Sequence, residues 1–162
     1  NVLEAHPELL PKSEDFTAWM TRPSAAADAL LPRFVQFAAD HDYALQFVDL
    51  GERGVMGMSN VIPVPWIVVN SQLTGEAKLA TVIHELGHMC HKDLLTLRPS
   101  AHEVIAESVA LLVLDRVKGI NSGRYSALYI INMVPPGIRT LLYQQHGALI
   151  QTCAEELRKA LP

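Results

Sequence analysis

The stretch TVIHELGHMCHK, residues 81 to 92, sets His84, Glu85, His88 and His91 into an otherwise apolar helical pattern. Imidazole fills a core poorly unless its nitrogens find partners, so this density of rings asks for a common purpose. His84 and His88 are four residues apart, which places their side chains about 40° apart on one helix face. Two imidazoles stacked that way can each offer a nitrogen at roughly 2.0–2.1 Å to one zinc ion. Glu85 is turned by about 100° from His84, badly placed as a third ligand and well placed as a general base acting on a water. Two ligands and one base are what the pattern H-E-x-x-H encodes. The competing reading is a pair of structural histidines with ordinary hydrogen-bond partners. The match lies in phase with an apolar stripe and follows a strand-like segment, and this favours the metal.

A catalytic zinc takes three protein ligands and keeps one position open. The candidates for the third are His91, Asp93, His102, Glu103 and Glu107. His91 would have to reach back past His88 from one turn below. The chain between His88 and Glu103 is long enough to reverse and lay a second helix alongside the first. In SAHEVIAESVALL, Glu103 and Glu107 again share a face. With Glu103 as ligand, Glu107 one turn on can accept a hydrogen bond from the far nitrogen of His84 or His88 and set its tautomer. Ser100-x-x-Glu103 is also a capping box, which explains Glu103 without any metal and leaves Glu107 as the alternative ligand. Spacing favours Glu103 over Glu107.

HELGHMCH, followed by EVIAE and SGRYSALYI, resembles the ImmA/IrrE-type metallopeptidases and the peptidase-like half of ArdC-type antirestriction proteins, over roughly residues 60 to 132. The resemblance implies that Glu103, the first acidic residue of E-x-x-A-E, is the third zinc ligand. It implies a zincin-like α+β fold, with a small mixed sheet over the H-E-x-x-H helix and an edge strand, here WIVVN, that pairs with an extended peptide. The activity implied is that of a zinc-dependent endopeptidase on protein substrates, with Glu85 as the catalytic base. Such a reaction needs a donor for the oxyanion besides the metal. Tyr125, Tyr129 and His102 are the candidates, although helix packing is the stronger reading for each tyrosine and a solvent-facing first turn for His102. The sequence shows neither the helix-turn-helix often fused to such peptidases nor the single-stranded-DNA-binding half of the ArdC type. The alternative function is a non-catalytic, regulatory zinc-binding module of the antirestriction or stress-regulator type, with a protein or nucleic-acid partner. Glu85 speaks against it, since a purely structural site has no use for a base.

The elements that must position these residues are legible in outline. At 162 residues, 49% hydrophobic and 19% charged, the chain suits a single domain with a real core and excludes long disorder. A net charge of −4 without a basic run gives no support to a nucleic-acid face. No uncharged apolar run is long enough to cross a bilayer. Residues 1–23, punctuated by proline, suggest an extended or loosely helical arm. Ser24 caps a helix through SAAADALLPRFVQFAADHD, which Pro32 should kink or divide. YALQFVDL, VMGMSNV and PWIVVN are strand candidates, with Pro63 and Pro65 hinting at an edge. An amphipathic helix is expected over 74–93, then one from the Ser100 cap to about Lys118, closed by Gly119. Further helices are expected at 122–133 and 136–160. This organises the domain as 24–70 helix and small sheet, 74–119 zinc-site helices and 120–162 C-terminal helices. Gly87 is expected to admit a close neighbour. Cys90 and Cys153 suggest free buried thiols in a reducing, cytoplasmic setting instead of a disulfide framework.

Overall fold

A computed structural model describes residues 13–51, 55–90, 97–121, 123, 125, 126, 130 and 134–162. Among these residues the fold is α+β, with five helices and one three-stranded sheet. In chain order they are α1 (Ser13–Met20), α2 (Ala25–Asp40), β1 (Ala44–Val48), β2 (Gly57–Asn60), β3 (Trp66–Asn70), α3 (Gly75–Met89), α4 (Pro99–Leu114) and α5 (Pro136–Arg158).

Of the arm expected over 1–23, residues 1–12 lie outside the described residues. Residues 13–20 form a helix, and Trp19 is driven into the core at 5% exposure. Ser24 caps α2 by accepting the Ala27 backbone N–H. The helix then runs through Pro32 as one element, so of the kink or second segment expected there the second segment does not form. Ala27, Leu30, Phe34, Phe37 and Ala38 make its buried stripe, and that burial outweighs the single backbone hydrogen bond that proline removes.

The strand order is β1-β3-β2, with β1 parallel and β2 antiparallel to β3. WIVVN is therefore the central strand and not the edge. Prolines 63 and 65 precede it and leave its ladder intact, while Ile67 and Val69 point down into the core. The edge beside the helices is β2, whose register runs from Gly57 opposite Val69 to Asn60 opposite Trp66.

Helix α3 crosses the centre of the molecule and packs on α1, α2, α4 and both β2 and β3. It is buried nearly all round: Leu79, Val82, Ile83 and Leu86 are fully buried, each contributing about 1.5–3 kcal/mol by the usual transfer scale. Its His84, Glu85 and His88 line a cavity. Cys90 is its C-cap, so the described helix stops short of the expected 93. His91 and Asp93 lie outside the described residues, as does most of the helix expected at 122–133.

Helix α4 starts earlier than expected. Arg98 is its N-cap and Pro99 its first residue, so Ser100 is inside the first turn and forms no capping box with Glu103. Proline at the first helical position needs no N–H and has the right φ, which accounts for the shift. The helix closes at Leu114, ahead of the expected Lys118, and Gly119 follows at φ +84°. Helix α5 covers α4 from the other side. No described helix is long and apolar enough to cross a membrane.

Candidate metal centre

The centre is made where α3 and α4 cross. Gly87 sits at the crossing: a Cβ built there would lie 3.0 Å from Ala106 Cα and 3.3 Å from its carbonyl oxygen. Only a residue without a side chain on α3, facing a small one on α4, lets the backbones come this close. That approach sets Glu103, nearly one turn before Ala106, over the two histidines.

His84 Nε2 and His88 Nε2 are 3.1 Å apart. Glu103 completes a triangle, with Oε2 at 3.5 Å from His84 Nε2 and Oε1 at 3.6 Å from His88 Nε2. Tetrahedral zinc with bonds of roughly 2.0–2.1 Å would hold its ligand atoms about 3.3–3.4 Å from one another. The three residues thus lie close enough to bind a metal ion. Glu107 is not a member of the triangle. Its Oε2 sits 2.7 Å from His84 Nδ1, the nitrogen that faces away from it. With Nδ1–H donating to Glu107, the Nε2 lone pair of His84 points at the common centre.

The electrostatics of the apo centre follow from this crowding. Burial disfavours a charged His84, but hydrogen bonds to Glu103 and Glu107 outweigh it and hold the pKa near about 10. Burial and then the neighbouring His84 charge push His88 down to about 4. Without a metal, His84 therefore carries the proton that a cation would have to displace.

Glu85 points to the other side. It is 5% exposed, and its carboxyl group is raised above the usual carboxylate range, mainly by burial. The His84 charge and a hydrogen bond from Ser59 pull in the opposite direction. Ser59 and Gly57 are two apart in β2 and share a face of that strand. A Cβ at Gly57 would come within 2.9 Å of Glu85 Oε1 and 2.7 Å of Thr81 Cγ2, so glycine there leaves the carboxylate its place. Neither Ser59 nor Gly57 was legible as a site residue. The signal available was two small residues at strand spacing, and it names no partner.

Both groups open onto one cavity of about 710 Å³. Its lining includes the triad, Glu85 and Glu107, together with Phe16 and Trp19 of α1, which join Tyr125 in an aromatic cluster. The rings of Trp19 and Tyr125 are stacked at 4.4 Å and 12°, so Tyr125 serves the packing of this wall. Tyr129 lies outside the described residues. His102 also lines the cavity, its ring centroid 6.0 Å from that of His88, and its Nε2 is buried without a hydrogen-bond partner. It is thus half-buried at the cavity, where a solvent-facing residue was expected.

Fold and site together define an α+β protein in which two histidines and a glutamate converge as a candidate metal centre beside a buried carboxylate. Comparisons of the chain with protein-family models, with curated proteins and with solved structures find no match.

Proposed function

We propose that the protein is a zinc-dependent endopeptidase of zincin-like architecture, related to the ImmA/IrrE-type metallopeptidases. The observation that carries the proposal is Glu85. It is buried in the cavity next to the triangle of His84, His88 and Glu103, yet it takes no part in that triangle. A structural centre gains nothing from burying a second carboxylate there at the cost of desolvation, whereas a hydrolytic centre needs a base with a raised pKa.

Two nitrogens and one carboxylate oxygen within 4.8 Å of one another suit zinc as ligands. When bound, zinc supplies Lewis acidity for a water and for the scissile carbonyl. The remaining steps belong to the chain. Glu85 accepts the proton of the attacking water and then gives it to the leaving amine. The Ser59 hydroxyl, by donating to Glu85, fixes which oxygen faces the cavity. Glu107 keeps His84 in the tautomer that presents Nε2. The edge of β2, with Gly57 and Ser59 facing inward and the 42%-exposed Met58 outward, offers backbone groups to an extended peptide. The aromatic part of the cavity lining suits an apolar side chain of that peptide.

The test is metal content and cleavage together. Protein purified without added metal should carry about one equivalent of zinc by elemental analysis, and Glu85→Gln should keep the zinc while losing cleavage of a mixed peptide library. A Glu85→Gln variant as active as the wild type would refute the mechanism. A zinc-loaded wild type that cleaves no peptide would transfer the centre to a binding module without hydrolysis.

A further inference from the structure

The most exposed large apolar side chains among the described residues are Ile62 and Val64, at 62% and 64%, in the connection between β2 and β3. Val55, just before β2, and Met58, within it, are exposed as well. Surface connections are ordinarily polar, because an apolar side chain gains nothing from standing in water. This one is also held at both ends. The Asn60 side chain donates to the Ile62 carbonyl, and the Ala44 backbone N–H donates to the Pro65 carbonyl. Pro63 and Pro65 fix two of its φ angles. The connection is thus pinned while its apolar groups stay in water. From residue 55 to residue 70 there is no Asp, Glu, Lys, Arg or His. The strip therefore offers a guest neither an anion nor a cation. It also continues from the cavity, whose lining includes Val55, Met58 and Val61, with Ile62 next in the chain. Exposed apolar surface that leads into a cavity marks a place where something binds.

We propose that the strip formed by Val55, Met58, Ile62 and Val64 is a docking surface for an extended, apolar, uncharged polypeptide segment. As the substrate class of the cavity this rests on the peptidase reading; as a binding surface it rests on exposure and charge alone. Among the described residues β2 is a sheet edge, paired with β3 on one side only. A segment laid along its free side can take up its backbone groups. Side chains of such a segment alternate between two faces, so that one set turns to the cavity and the other passes Met58. Where the segment runs on past Asn60 it meets Ile62 and Val64. Apolar side chains at those places take both surfaces out of water, with a gain that grows with the area covered. A Glu or Lys there would lose hydration and find no counter-charge. A membrane surface is ordinarily met by Lys and Arg beside the apolar groups, and this stretch has neither. A second copy seated on Val55 and Met58 would cover residues that line the cavity.

Binding, measured apart from cleavage, tests the surface. A short labelled peptide in which Val and Leu alternate with Ser is titrated into full-length Glu85→Gln protein by fluorescence anisotropy. Peptides with Glu or with Lys in place of Val and Leu are titrated beside it. The Val/Leu peptide should bind about tenfold more tightly than either, a difference that covering two apolar side chains supplies. With Ile62→Lys and Val64→Lys added, that preference should vanish while zinc content and unfolding temperature stay the same. Both side chains stand largely in solvent, so the double substitution leaves the core alone. Equal binding of the three peptides, or a preference that survives the double substitution, would overturn the proposal. So would a wild-type dimer that the double substitution dissociates on a sizing column, since the strip would then belong to a second copy. Sedimentation with phosphatidylcholine vesicles, abolished by the same substitutions, would give the strip to a membrane and overturn it too. Preferential binding of the Val/Leu peptide by a protein that cleaves nothing would uphold the docking surface and sink the peptidase reading. Cleavage of all three peptides at one kcat/KM would do the reverse.

Discussion

The two walls of the cavity are built by different rules. The α3–α4 wall takes its groups at helical spacing from two short motifs, and each is aimed by one close contact: His84 by Glu107, and Glu103 by the Gly87–Ala106 crossing. The rest of the lining draws on α1, β2 and Tyr125, which are far apart in sequence, and works by shape and desolvation. The first wall has defined atoms that converge on a point; the second buries Glu85 and limits what can approach it. Under the proposed function, holding a cation and using it would rest on different side chains, so substitutions in the two groups should separate them.

The largest effect is expected at the convergent wall. His84→Ala or His88→Ala should abolish stoichiometric zinc, measured by elemental analysis, while leaving a folded protein by circular dichroism. A variant holding a full equivalent would break the comparison at its root. Gly87→Val should come next, since its side chain would meet Ala106 backbone atoms that cannot give way. A loss of about 1–3 kcal/mol in denaturant unfolding is expected, together with weakened zinc binding. Unchanged stability would mean that the crossing is not close-packed.

Glu107→Ala should weaken zinc affinity by about 10–100-fold in a chelator competition, as loss of a histidine's orienting carboxylate does elsewhere. The pH dependence sharpens the same wall. His84 is held near about 10 and is protonated at neutral pH in the apo protein, whereas His88, near about 4, is not. Binding must then displace one proton. Apparent zinc affinity should fall about tenfold per pH unit as pH drops from 8 to 6, and a slope near zero would contradict the shared proton.

The smallest effect is expected across the cavity. Ser59→Ala removes a donor that favours ionised Glu85, so the Glu85 pKa should rise further. The acid limb of any peptidase profile should move to higher pH by a fraction of a unit, with zinc content untouched. Loss of zinc in this variant would show that the two walls are not separable.

Much of the convergent wall was legible because helix geometry turns spacing into direction. From i, i+4 alone, His84 and His88 share a face, and so do Glu103 and Glu107. The choice between the two glutamates was not legible in that way. Ser100 offered Glu103 a capping box, and only the start of α4 at Pro99 removes this alternative. The assignment of WIVVN to an edge failed for a similar reason: prolines next to a strand constrain its ends, but strand order depends on pairing between distant segments. Trp19's place beside the cavity rests on a stack with Tyr125, far along the chain, which no local pattern gives.

The amino-acid order by itself determined the local periods: which residues share a helix face, where apolar stripes run, and that a base stands beside two imidazoles. These follow from bond geometry within a few residues and need no partner. Tertiary structure decided which glutamate meets the histidines and which strand overhangs Glu85. Each of these is a contact across long loops, set by how closely whole elements can pack, and no local spacing contains that distance.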